Sequence, residues 1–172
     1  MSKGLTMTQS EEKAALLECL AYQRSSILSI VDGLSEADWH RSVVPSGWTT
    51  AGFVEHIASA ERFWFLVVVD QSNVELPWDE GRPAYDPSRP FTCDRPSSEI
   101  LAHYADIRRR CDEVLARVSL DDEPKYQPPW YTEPVKNVRE VVLHIIEETA
   151  AHSGHLEIAR EFLDGVTGRG LR

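Results

Sequence analysis

The stretch VREVVLHIIEETAAHSGHLEIAREFLDG, residues 138–165, predicts one long helix around which the rest of the chain is organised. Its apolar residues recur at close to helical spacing. They are Val138, Val141, Val142, Leu143, Ile145, Ile146, Ala150, Leu156, Ile158, Phe162 and Leu163. Gly154 is the only glycine inside the stretch, and Gly165 follows the last apolar pair, where a glycine suits the C-terminal cap.

Polar residues with ligand chemistry interrupt this apolar stripe. Glu148 and His152 lie four residues apart, so their side chains share one face of a helix. A carboxylate and an imidazole placed in this way can bind one divalent ion together. His144 lies four residues before Glu148, and His155 lies three residues after His152. The alternative is a set of ordinary solvated charges, but a carboxylate at the edge of a core needs a partner, which favours a site.

Length and charge limit the classes of function. The 172 residues are enough for one domain with a substantial core. The formal net charge of -10 argues against a general surface for nucleic acids or acidic membranes. The three cysteines, Cys19, Cys93 and Cys111, are widely spaced, so neither a disulfide framework nor a cysteine-type zinc site is expected.

The sequence predicts a cytoplasmic protein. Its beginning lacks the charged, apolar and small-residue regions of a signal peptide. The longest apolar run, residues 63–69, is far too short to cross a membrane.

Three further segments carry apolar stripes at helical spacing, and two long irregular links connect the helices. The predicted helices cover residues 10–32, 50–70 and 99–118, with Ser10, Thr49 or Thr50, and Ser97 or Ser98 as starts or N-terminal caps. The links are the proline-rich residues 71–96 and 120–135. A link as long as the first is usually functional, and its Trp78, Tyr85 and Phe91 are expected to cover the mouth of the site.

These segments predict an all-α fold, a four-helix bundle forming a single domain over residues 1–172, with residues 1–8 as a disordered tail. The long links after the second and third helices indicate that the helices do not simply alternate up and down. The apolar stripes of the first and third helices are extensive, which suggests a homodimer.

Two segments resemble the DinB-like superfamily of four-helix bundles, which includes the mycothiol-dependent maleylpyruvate isomerase and thiol S-transferases. GWTTAGFVEHIASAERFWF, residues 47–65, is similar to that superfamily's second helix, where one histidine binds metal. EETAAHSGHLEIAREFLDGVTG, residues 147–168, resembles the actinobacterial branch of the superfamily. The resemblance covers the whole chain and implies a DinB-like helical domain.

The resemblance also implies a metal site. Carried over residue by residue, the superfamily's second-helix histidine falls on His56, and its final-helix His-x-x-x-His pair falls on Glu148 and His152. The mycothiol-dependent isomerase is similar in having a glutamate at the first of these two positions. His155 then takes the place of a family glutamine beside the metal, and we assign it a catalytic role. A rival ligand set of His56, His152 and His155 remains open.

The implied chemistry is activation of a low-molecular-weight thiol such as mycothiol. A divalent ion (zinc, nickel, iron or manganese) lowers the pKa of a bound thiol, which then attacks an electrophile. We therefore expect a metal- and thiol-dependent S-transferase or isomerase. Its partners would be a small-molecule thiol and an electrophilic substrate, without nucleic acid or membrane. The alternative is a non-catalytic metal- or ligand-binding module of a stress response.

Overall fold

The computed structural model describes residues 8–72, 90–129 and 131–170, and within these ranges the chain is helical or irregular, without strands. The helices are α1 (Gln9–Val31), α2 (Glu36–Trp39), α3 (Thr50–Glu61), a π-helix (Arg62–Val69) that continues α3, α4 (Ser97–Arg117) and α5 (Val138–Asp164). This confirms the all-α fold, since α1, α3 with the π-helix, α4 and α5 are the four main helices. In the described part of the chain, no helix is long and apolar enough to cross a membrane.

The helix ends follow local capping chemistry. Gly165 adopts φ 77° after α5, the left-handed conformation that glycine supplies at a helix end, as predicted. The Thr49 side chain accepts a hydrogen bond from the Gly52 N–H and so caps α3. Thr8, which we predicted to lie in the tail, instead forms a capping box with Glu11, so α1 begins at Gln9. Residues 1–7 lie outside the described residues.

The cap of α4 differs from the prediction. Pro96 occupies the cap position, and Ser97 is already the first helical residue. The reason is a contact with α2. The Ser97 N–H and hydroxyl donate to the Glu36 carboxylate at 2.9 and 2.5 Å. The Ser97 side chain is therefore engaged with α2 and does not cap its own helix.

Helices α1 and α5 are parallel neighbours. Near the beginning of both helices, Arg139 Nε donates to Glu12 Oε1 at 2.6 Å. About half a helix length further along, the hydroxyl oxygens of Ser26 and Ser153 lie 2.9 Å apart. Both pairs are separated by the same 127 residues. Equal offsets at two levels require the two helices to run in the same direction.

Helix α3, together with the π-helix that continues it, runs parallel to α4. Tyr104 contacts Glu61 at one level, and Arg117 contacts Asp70 nearer the ends of both elements. Parallel neighbours need a long return connection, which residues 71–96 provide. The expectation that the helices do not simply alternate is therefore met.

A π-helix occupies Arg62–Val69, where we predicted a continuous α-helix ending near Asp70. This stretch, RFWFLVVV, is rich in aromatic and β-branched residues, which have weak α-helix propensity. Five of its eight residues are buried, more than one face of an α-helix would bury. They are Trp64, Phe65, Leu66, Val68 and Val69. We infer that burial of this apolar run favours the π-helical conformation of the backbone here.

The core consists of two apolar clusters. The first cluster surrounds the π-helix and the beginning of α5, and it includes Leu20, Phe65, Val68, Ile107, Leu115, Val138, Val142 and Ile145. The second cluster surrounds α3 and the end of α1, and it includes Ile27, Ile30, Trp39, Phe53, Val54, Ile57, Ile100 and Leu156. Trp39 of α2 is buried in the second cluster.

A layer of buried polar side chains lies between these clusters, and we call it the central polar layer. Its centre is Glu61, which is 0% exposed and pairs with Arg24 at 2.5 Å. The Tyr104 hydroxyl donates to the same carboxylate at 3.1 Å. Ser26 and Ser153 extend the layer to α5. The pKa of the Tyr104 hydroxyl is raised well above its usual value, by burial first and by the Glu61 charge second.

Not all of the predicted apolar stripe of α5 is buried. Leu143, Ile158 and Phe162 are 47%, 55% and 66% exposed. By contrast, the stripe of α4 is hidden in the core, including Ile100, Ile107 and Leu115. The argument that an excess of apolar surface on the first and third predicted helices drives dimerisation is therefore wrong for α4. The exposed apolar surface lies mainly on α5 instead.

Candidate metal centre

Three side chains with ligand chemistry come together between α3 and α5. One ligand atom each from His56, Glu148 and His152 lies within 4.8 Å of the other two. The Nε2 atoms of His56 and His152 are 3.0 and 3.3 Å from Glu148 Oε1. These are the three residues that we predicted as ligands, and the helical spacing of Glu148 and His152 produces their shared direction.

The electrostatics of this cluster suit a cation. Hydrogen bonds from His152 and His56 hold the pKa of Glu148 well below its usual range, although burial acts in the opposite direction. The carboxylate is therefore ionised at neutral pH. All three side chains are half-buried, which limits competition from water. Two imidazole nitrogens and one carboxylate oxygen form a donor set that fits zinc and similar divalent ions.

His155 lies beside the cluster and not within it. Its Nδ1 is 3.4 Å from Nδ1 of His152, and its side chain is exposed. Nε2 of His152 can bind a metal only when the ring proton sits on Nδ1. That proton can then be donated to His155 Nδ1. The geometry thus gives His155 the means to fix the tautomer and orientation of His152.

Aromatic rings pack against two of the imidazoles. The Phe91 ring stacks on His56 with centroids 4.1 Å apart and an interplanar angle of 24°. The Phe53 ring meets His152 edge-on at 4.8 Å. Phe91 belongs to the first long link, so this link reaches the site as expected. Trp78 and Tyr85, the other aromatic residues of that expectation, lie outside the described residues.

Gly52 allows the link to approach α3. The Thr49 N–H donates to the Phe91 carbonyl at 3.0 Å, and a Cβ built on Gly52 would overlap the carbonyl group of Phe91. We expect Gly52→Ala to displace the backbone around Phe91 from His56 and to lower the free energy of unfolding by about 1–3 kcal/mol. The cost is large because the atoms that the new Cβ would overlap belong to the backbone of Phe91 and not to a flexible side chain. Urea unfolding measures this loss.

Gly154→Ala is the matched control for this prediction. Gly154 lies inside a helix, and nothing lies within 4 Å of the Cβ that alanine would add. Alanine should therefore stabilise the chain by up to about 1 kcal/mol. Equal unfolding midpoints for the two variants would contradict the close packing of residue 91 on α3.

The opposite side of Glu148 carries a second group of rings. His144 Nε2 is 3.9 Å from Glu148 Oε2, and its ring meets Trp64 at 4.6 Å. Tyr131 packs on Trp64 at 5.3 Å, and burial together with the Glu148 charge raises its pKa. The four-residue spacing of His144 and Glu148 was visible in the sequence. Trp64 follows His56 by eight residues, about two helical turns, so spacing could have placed it near the site, whereas no sequence signal pointed to Tyr131.

A model of the mycothiol-S-transferase family matches residues 15–165. This range contains His56, Glu148, His152 and His155 and all of the main helices except the first residues of α1. No curated protein matches the chain.

Proposed function

This chain belongs to the mycothiol-S-transferase family, and from that premise we propose that it is a metal-dependent enzyme that joins a low-molecular-weight thiol to an electrophile. The observation that carries this proposal is the cluster of His56, Glu148 and His152, whose ligand atoms lie within 4.8 Å of one another. Three protein ligands leave positions free for a substrate on a divalent ion.

His56, Glu148 and His152 would hold the ion, and their nitrogen and oxygen donors suit zinc, nickel, iron or manganese. When bound, such an ion lowers the pKa of a coordinated thiol. To bind it, the two imidazoles must give up the Nε2 protons that they donate to Glu148 in the metal-free cluster. The carboxylate supplies the negative charge that favours capture of a cation.

His155 is the residue that we propose to adjust the chemistry. Its Nδ1 is 3.4 Å from Nδ1 of His152, so it can accept the His152 N–H and orient that ligand. The rings of Phe53, Phe91 and Trp64 border the cluster, which suits an electrophile with apolar or aromatic parts. Tyr131 adds a hydroxyl on the same border.

The thiol that the family name indicates is mycothiol. We propose a cytoplasmic location, because low-molecular-weight thiols remain reduced there. The three cysteines of the chain, Cys19, Cys93 and Cys111, are all free in this structure, which agrees with that setting.

The test is a thiol-transfer assay with the metal-loaded protein, mycothiol and monobromobimane, followed by fluorescence. We expect a rate above that of the uncatalysed reaction, and a return to the uncatalysed rate after chelation. If the protein is instead a non-catalytic metal-binding module, it should bind the metal tightly without accelerating the reaction of monobromobimane with mycothiol or other small thiols.

Substitution of His155 separates metal binding from catalysis. We expect His155→Phe to keep bound metal, with an affinity loss of no more than about 10–100-fold, as is typical for a residue that contacts a ligand. Its transfer rate should fall, because phenylalanine cannot accept the hydrogen bond that orients His152. His155→Gln is the matched control, since its amide oxygen can still accept the His152 proton and should restore metal affinity. Equal affinity and rate in wild type and His155→Phe would remove this residue from the proposal.

A further inference from the structure

An open groove lies between α1 and α4, whereas the candidate metal centre lies between α3 and α5. The two helices that form the groove are antiparallel. Lys13 Nζ donates to the Val118 carbonyl at 2.5 Å, and further along α1 Arg24 pairs with Asp112, which precedes Val118. The groove has a volume of about 630 Å³. Small-molecule sites occupy roughly 300–1,000 Å³, so the groove has room for a small ligand.

Arg108 lines this groove without a partner for its charge. Its guanidinium lies 4.9 Å from the centre of the Tyr104 ring. Among the described residues no carboxylate pairs with it, and its buried Nε has no hydrogen-bond partner. The next two residues, Arg109 and Arg110, both pair with Asp106. Because a covered guanidinium with unused donors is costly, an anion in the groove would supply the missing acceptor.

A second guanidinium, that of Arg24, faces the same groove. Nε and Nη2 of Arg24 donate to Glu61, while Nη1 donates to Asp112 Oδ1 at 2.7 Å. Tyr104 lies between the two cations, since its hydroxyl shares Glu61 with Arg24 and its ring carries Arg108. The Asp112 side chain is 62% exposed, so it can turn into water and leave Nη1 to another acceptor. Two guanidinium groups are thus available to one anionic group.

The remaining lining indicates what else the ligand carries. Ala21, Ala105 and Ala116 are small and leave the groove open. Asp112 and Glu113 place two exposed carboxylates beside the cations. These carboxylates would repel a ligand with several negative charges, but they can accept hydrogen bonds from hydroxyl groups. The lining therefore favours an anion with one charged group and several hydroxyls.

We propose that the groove between α1 and α4 binds a small hydroxylated organic anion, such as a sugar phosphate or a sugar acid. The anionic group contacts Arg108 and Arg24, and the hydroxyls contact Asp112 and Glu113. The groove shares no residue with the metal centre, so the site does not depend on the proposed thiol chemistry.

Calorimetric titration of the full chain tests the ligand class. Glucose 6-phosphate and gluconate are the two probes, and at least one of them should bind saturably with one site per chain. The tighter probe identifies the anionic group. Glucose lacks a charge and should not bind. Inorganic phosphate and acetate lack the hydroxyls and should bind at least about tenfold more weakly than glucose 6-phosphate and gluconate, respectively. Saturable binding of neither probe, or equal binding of glucose or of the bare anion, would overturn the proposal.

Substitution of Arg108 tests the location. Arg108→Met keeps an unbranched side chain over the Tyr104 ring and should weaken binding at least about tenfold. Arg110→Met is the matched control, because it removes the same charge from α4 at a position that pairs with Asp106 and does not line the groove. It should bind like the wild type. Arg108→Lys should lie between the two, since lysine keeps the charge but not the two-pronged geometry.

Urea unfolding of these variants separates ligand contact from folding. Arg108 makes no ion pair among the described residues, so Arg108→Met should unfold close to the wild-type midpoint. Wild-type affinity in Arg108→Met would overturn the assignment of the groove. An equal loss of affinity in Arg108→Met and Arg110→Met would overturn it as well, because a general change of charge would then explain both.

Discussion

His56→Ala, Glu148→Ala and His152→Ala are each expected to lose most of the bound metal. Each substitution removes one of three donors that lie within 4.8 Å of one another and leaves only two. The affinity loss should exceed the roughly 10–100-fold that changes outside the ligand set cost. Titration of the metal-free protein with Zn²⁺ in competition with a chromophoric chelator measures the affinity, and elemental analysis measures the occupancy.

His40→Ala is the control for these substitutions. His40 also pairs with a glutamate four residues away, Glu36 at 3.1 Å, but it lies outside the metal cluster. Its substitution should leave metal affinity unchanged. Full occupancy in Glu148→Ala together with loss in His155→Ala would instead support the rival set of His56, His152 and His155.

Glu61→Ala is expected to cause the largest loss of stability. It would leave the Arg24 guanidinium, which is 5% exposed, with Asp112 as its remaining carboxylate partner. Breaking a buried ion pair by removing one partner costs about 3–5 kcal/mol when the remaining charge has no partner, and we expect a loss towards the lower end of this range because the exposed Asp112 still pairs with Arg24. The Tyr104 hydroxyl would lose its acceptor as well. The midpoint and slope of urea unfolding provide the measurement.

Glu113→Ala is the comparison for that loss. It removes the same charge from an exposed pair with Arg109, which water already solvates. We expect little change in its unfolding midpoint. If Glu61→Ala were no less stable than Glu113→Ala, the central polar layer would contribute nothing through its ion pair. A combined Arg24→Met and Glu61→Leu variant should recover part of the loss, since apolar replacements remove the buried charge that has lost its buried partner.

Helical periodicity was sufficient to predict much of the fold and part of the site. The spacing of apolar residues identified the four main helices, and the four-residue spacing of Glu148 and His152 gave their common face. His56 could not be assigned from spacing, because periodicity shows which face of a helix is apolar but not which helix packs against it. Its assignment rested on a resemblance.

Other features lay beyond periodicity for the same reason. The pairing of Arg24 with Glu61 joins residues 37 positions apart on different helices. The π-helix depends on the burial of five residues by neighbouring helices. Ile158 and Phe162 fit the apolar pattern of α5 and are nevertheless exposed. The pattern does not show which part of the helix surface the neighbouring helices cover.

The division of the core by the central polar layer has a consequence for how the chain opens. Residues that pack in one continuous apolar cluster tend to unfold locally together. The backbone amides around the two clusters can therefore exchange their hydrogens as two separate units. His56 lies on α3 within the second cluster, whereas Glu148 directly follows the part of α5 that the first cluster holds. An ion bound by both residues would couple the two openings. Its binding free energy would then protect both halves of the molecule from local unfolding.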